Sequence, residues 1–138
     1  MGTPAATIGD QVLGACLHTY QSTTPSLGGP VPTPVPMALP FMGQIVGPCA
    51  ATVLIGGKPA SVAGDNVVNT AIHPPVGGAA IPGPAQPSAT NKTVVNQGSP
   101  TVSICGKAAV RTGSQGEIDC GLTAPPVVMG TAATVLIA

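Results

Sequence analysis

The sequence predicts an all-β protein with pseudo-threefold symmetry, assembled from three β-hairpin repeats joined by long loops rich in proline and glycine. Three observations lead there. One short motif recurs: Thr52-Val-Leu-Ile-Gly-Gly-Lys-Pro-Ala-Ser-Val-Ala-Gly-Asp65 aligns without a gap on Thr101-Val-Ser-Ile-Cys-Gly-Lys-Ala-Ala-Val-Arg-Thr-Gly-Ser114. A third copy is divided between the two ends of the chain. Finally, 19 Gly and 17 Pro among 138 residues punctuate short runs rich in Val, Ile and Thr, which leaves little room for helices.

The elements follow in chain order. Pro4-Ala-Ala-Thr-Ile-Gly-Asp10 reads as the returning strand of a hairpin that stops at a Gly-Asp turn. Its missing outgoing strand is Thr134-Val-Leu-Ile137, so residues 4–10 and 134–137 combine into one unit. Residues 52–65 and 101–114 are the two uninterrupted units. In each, the Thr-Val-x-Ile run alternates as a half-buried strand does, Gly-Gly or Cys-Gly makes a tight turn, and the return ends at Gly-Asp or Gly-Ser. Asp10 and Asp65 therefore read as strand-end residues that accept backbone hydrogen bonds. A lone hairpin buries no face, whereas three packed together do. Reuniting the divided copy closes the three into a ring with no leftover edge, and the whole chain, 1–138, forms one domain.

The insertions, Gln11 to Ala51, Asn66 to Pro100 and Gln115 to Ala133, are dominated by Pro, Gly, Ser, Thr and Asn and read as loops and extended edges. Met37, Leu39, Phe41, Met42, Ile45 and Val46 give the first one apolar contacts, so it is expected to lie against the body.

Composition narrows the function. Four Lys or Arg against four Asp or Glu leave no basic patch for a phosphate backbone, and Tyr20 and Phe41 are the sole aromatics, so nucleic acid is not an expected partner. Residues 11–57 carry no Asp, Glu, Lys or Arg, which invites a membrane-helix reading. Pro25, Pro30, Pro32, Pro34, Pro36, Pro40 and Pro48 would interrupt any helix long enough to span a bilayer. The N-terminal residues lack a charged stretch followed by an apolar run, so export is expected without a signal peptide.

The two histidines occupy matching places. His18 follows Asp10 by eight residues and His73 follows Asp65 by eight, while Cys120 follows Ser114 by six in a shorter loop. A threefold arrangement would bring these side chains together at the axis as metal ligands. Imidazole and thiolate suit a structural zinc with four tetrahedral ligands, and iron stays open as an alternative. Cys16, in Cys16-Leu-His18, is the first choice for the fourth ligand, ahead of Cys49 and Cys105. Cys105 replaces a turn glycine and reads as a small buried thiol. Glu117 and Asp119 flank Cys120 as second-sphere partners or as solvated loop acids. No phosphate-binding glycine loop, nucleophile elbow or His-Glu-x-x-His helix is present, so no catalytic residues are assigned.

These motifs, with Pro4-Ala-Ala-Thr7 near the start and a His or Cys after each Gly-Asp-like end, resemble the PAAR-repeat family over nearly the whole chain. The resemblance implies a small conical β-structure seated on the trimeric spike of type VI secretion systems, phage tails and related contractile injection machines, one cap per trimer. It also implies a zinc near the point, whose ligands would map onto His18, His73 and Cys120. The family pattern of three His and one Cys differs from the balance here, and the first loop is long for the family. On this reading the protein is not an enzyme. It assembles in the bacterial cytoplasm, leaves with the injection apparatus, touches the target membrane transiently and carries any effector cargo noncovalently. Two other classes are weighed against it: a stand-alone zinc-dependent hydrolase and a secreted β module stapled by disulfides.

Overall fold

A computed structural model describes residues 2–70, 90–118 and 121–138 of the chain. Among the described residues there is no helix, so none is long and apolar enough to cross a membrane. The strands are β1 (Thr3–Ala5), β2 (Gln11–Thr24), β3 (Val31–Gly47), β4 (Ala50–Ile55), β5 (Lys58–Ala60) and β6 (Asn66–Asn69). They continue with β7 (Lys92–Val94), β8 (Ser103–Ile104), β9 (Lys107–Ala108), β10 (Val127–Met129) and β11 (Ala132–Ile137).

The motif copies form three small antiparallel pairs. β4 returns as β5 through Gly56-Gly57 and β8 returns as β9 through Cys105-Gly106, all four turn residues having positive φ. Glycine adopts that backbone freely, whereas Cys105 holds it at 51° as an L-residue. In the third pair, β1 runs antiparallel to β11, with Thr3 opposite Ile137.

The backbone shows how the three pairs meet. The Ala6 N–H donates to the Val110 carbonyl at 3.0 Å, Val110 to Ser61 at 3.0 Å and Ser61 to Ala6 at 2.9 Å. Each of these residues stands four before Asp10, Ser114 or Asp65, so three hydrogen bonds close a triangle about a pseudo-threefold axis. The same rotation relates the bridges Ala5 to Arg111, Thr7 to Ala60 and Val62 to Ala109. Ala5, Ala60 and Ala109 are all fully buried, because only a small side chain fits where three backbones converge. Together with Ala50, Ile55, Val62 and Ile137 they fill one apolar layer.

A second layer begins where each Gly-Asp or Gly-Ser end hooks onto a following strand. Gly9 donates to Ile45 at 2.8 Å, Gly64 to Val95 at 2.6 Å and Gly113 to Val128 at 3.0 Å; Ile45, Val95 and Val128 return bonds to the carbonyls of Asp10, Asp65 and Ser114. β10, β2, β3, β6 and β7 then hydrogen-bond side by side, and the bridges Val95 to Gly116 and Gln115 to Val127 carry β7 round to β10. The result is a closed collar, which leaves no edge around its circumference. Val12, Phe41, Ile45, Val67, Val95 and Val128 fill its interior.

The first insertion is not a loop. β2 and β3 pair in continuous register from Gln11 opposite Gln44 to Thr24 opposite Val31. Four of the prolines that rule out a membrane helix, Pro32, Pro34, Pro36 and Pro40, sit at even positions of β3. There the backbone faces away from β2, as the Met42 carbonyl shows by accepting from Thr70 N–H at 3.0 Å. A proline at such a position removes no bond from the β2–β3 ladder.

Candidate metal centre

Alternation along β2 sends Val12, Gly14, Cys16 and His18 to the inner face and Leu13, Ala15 and Leu17 to the outer one. Cys16 and His18, two residues apart, therefore share a face, and both are fully withdrawn from solvent. Their neighbours across the ribbon are Leu39 and Met37. A histidine and a cysteine at this spacing can reach one ion from a single strand, and nitrogen with sulfur is the donor chemistry of zinc or iron.

A second segment approaches the same place. Gly121 accepts a hydrogen bond from Leu17 N–H at 2.8 Å, and Leu122 bridges to Cys16. Gly121 has φ +71°, and a Cβ built there would lie 2.6 Å from His18 Cε1 and 2.9 Å from Nδ1. The imidazole edge thus rests against a backbone that tolerates no side chain. Gly121 was not singled out by sequence; its one signal is its place directly after Cys120. His73, Asp119 and Cys120 lie outside the described residues. Among the described residues no three His, Cys, Asp or Glu side chains gather into a metal-binding group.

The other cysteines have different surroundings. Cys49 is half-buried with φ 54°; its N–H donates to Asp65 Oδ1 at 2.9 Å. Burial, the thiol's hydrogen bond to Asp65 and the carboxylate's charge push its pKa up to about 12, the opposite of what a thiolate ligand needs. Cys105 is exposed at the hairpin turn, not buried, because its turn points to solvent; Thr52 Oγ1 lies 3.5 Å from its sulfur. Both are free thiols.

The acids do structural work. Asp65, fully buried, accepts from Ser61 Oγ and Val62 N–H, each at 2.9 Å. Asp10 accepts from Thr7 N–H at 2.9 Å and from Thr131 Oγ1 at 2.6 Å. Ser114 Oγ accepts from Arg111 N–H at 3.1 Å in the third copy. These are the strand-end caps that the motif suggested. Glu117 is exposed.

A family model described as the PAAR motif matches residues 41–124, which span both uninterrupted repeats and more than half of the chain. Comparison with curated proteins gives no match.

Proposed function

The chain belongs to the PAAR-motif family, the proteins of type VI secretion spike tips, and from that premise we propose that it caps the trimeric spike of a contractile injection machine as a metal-pinned point. The observation that supports this reading most is the backbone triangle of Ala6, Ser61 and Val110: one chain presents three equivalent hairpins, which a threefold spike end can meet. That geometry supports one cap per trimer.

The metal proposed is zinc, held by His18, His73, Cys120 and Cys16, with iron as the competing ion. Cys16 is preferred to Cys49 and Cys105 because it shares a buried strand face with His18, whereas burial and Asp65 favour the protonated Cys49 thiol and Cys105 sits on an exposed turn. When bound, such an ion ties separate loops together and contributes folding free energy, on the order of 10 kcal/mol in small zinc domains. The protein's own residues bury the imidazole, on a segment, residues 11–57, that carries no Asp, Glu, Lys or Arg. The role is structural rather than catalytic. The capped spike would assemble in the bacterial cytoplasm and leave with the apparatus, meeting the target membrane as its leading end and carrying cargo noncovalently.

Deleting the gene from a cell that fires its injection machine tests the role. Loss of injection and of target killing is expected, restored by the wild-type chain; normal injection would overturn it. Elemental analysis of the native protein, with and without His18→Ala, tests the ion separately, and a full zinc complement in the variant would remove His18 from the ligand set.

A further inference from the structure

The chain has four cations and four acids, and the fold sorts them unevenly. Asp10 and Asp65 are buried in their strand-end caps, while exposed Glu117 lines one collar cleft together with Lys92, its opposite in charge. Asp119 stands two residues after Glu117 in sequence, outside the described residues. The remaining cations, Lys58, Lys107 and Arg111, all lie in the hairpin layer, where no described acid is exposed.

Their positions follow the pseudo-threefold. Neighbouring hairpins meet at three joints, marked by the bridges Thr7 to Ala60, Val62 to Ala109 and Ala5 to Arg111. Lys58 stands two residues before Ala60, Lys107 two before Ala109 and Thr3 two before Ala5, so these three positions are equivalent. Two joints take their cation from this position. At the third, where Thr3 carries no charge, Arg111 supplies one from the opposite side, at the position that uncharged Thr7 and Val62 hold in the others. Each joint thus has one cation and none has two. Thr3 and Arg111 line a cavity of about 250 Å³, and Thr7 and Lys58 line one of about 180 Å³. At the remaining joint Lys107 Nζ lies over the turn, 3.8 Å from where a Cβ on Gly64 would stand. Lys58 and Lys107 are exposed; Arg111 is partly so, and its guanidinium donates to the Ile137 carbonyl at 3.4 Å.

We propose that Lys58, Lys107 and Arg111 form a threefold set of anchoring charges, each taking one carboxylate from one chain of a trimeric protein partner. This rests on the spike-cap reading and adds the chemistry of the surface the cap meets: an acidic spike end, with an Asp or Glu on each chain placed for a joint. Charge complementarity selects the carboxylate, and three joints related by a threefold rotation are met together only by a partner with the same symmetry. Single exposed ion pairs contribute little, so the set acts through three contacts made at once and fixes the docking register.

The test is calorimetric binding of the full chain to the trimeric spike of the same cell, at about 0.05 M and about 1 M salt. The triple variant Lys58→Gln, Lys107→Gln, Arg111→Gln is expected to bind about tenfold more weakly at low salt and within about twofold of wild type at high salt, where the charges are screened. Arg111→Gln combined with Thr3→Lys moves the third cation across its joint and should bind as wild type does, whereas Arg111→Gln alone should bind more weakly. That recovery separates the charge from the Ile137 contact. Unchanged denaturation midpoints verify folding, and Lys58→Gln with Lys107→Gln is the substitute if loss of Arg111 unfolds the chain, with about a fivefold loss expected. Equal affinity of the wild type and a folded variant at low salt would overturn the proposal and leave the cap standing; no binding by the wild-type chain would overturn the cap and the proposal with it. Weakened binding only to anionic phospholipid vesicles, with spike binding unchanged, would also overturn it, since the charges would then face a lipid surface.

Discussion

In the copy that ends at Asp65, one carboxylate holds Ser61, Val62 and Cys49, whereas in the copy that ends at Ser114 a hydroxyl holds, among the described residues, Arg111. Asp10 resembles Asp65 and takes Thr131 where Asp65 takes Cys49. Cys49, Gly98 and Thr131 each stand three residues before the threonine that opens a motif copy, so they are equivalent positions. The Cys49 thiol therefore replaces the Thr131 hydroxyl as the group beside the acid, and Gly98 replaces both. A Cβ on Gly98 would come within 2.7 Å of the Ala109 carbonyl, so this copy closes by backbone approach where the others close through a side chain. The triangle of backbone hydrogen bonds is nonetheless the same in all three. Symmetry resides in the main chain, and the side chains vary beneath it.

Removing the caps should rank the copies. Asp65→Ala orphans buried donors on two segments and is expected to cost about 3 kcal/mol in chemical denaturation, against about 1 kcal/mol for Ser114→Ala. Equal losses would mean that the carboxylate contacts are not what separates the copies. Gly121→Ala comes next, at about 2 kcal/mol, since it demands a strained φ and room that the His18 ring occupies. It should also lower zinc affinity measured by chelator competition if the proposed centre exists as drawn; unchanged affinity would detach Gly121 from the proposed metal centre.

Much of this was readable in the sequence. The hairpins, their threefold relation and the capping role of Asp10 and Asp65 follow from a motif whose alternation, turn glycines and terminal acid each have one physical meaning. The β2–β3 ribbon did not, because a segment rich in Pro and Gly was read as loops and extended edges, when every second residue of an edge strand can lose its N–H without cost. The Cys49 and Thr131 equivalence was hidden too: both precede the recognisable motif, and their tie to an acid exists only once the hairpin has folded back. Cys16 and His18 were singled out by spacing as candidates, and their shared burial on one face of β2 is what geometry adds.

The smaller effects concern the thiols. A raised pKa means that the folded state favours the protonated Cys49 thiol, so its contribution is full below the ordinary value of 9.0 and is lost as pH rises toward about 12. Cys49→Ser, whose hydroxyl does not titrate there, should lose less stability across that window, as followed by denaturation at stepped pH. A parallel decline in both proteins would contradict the Asp65 contact. At neutral pH iodoacetamide should modify exposed Cys105 well before Cys49, as read by peptide mass analysis; the reverse order would place Cys49 outside its carboxylate's influence.

If one chain supplies all three faces of the proposed cap, native mass spectrometry of the protein mixed with a candidate trimeric spike will show it. A complex of three spike chains with one copy of this protein is expected, and a complex carrying three copies per trimer would contradict the proposal.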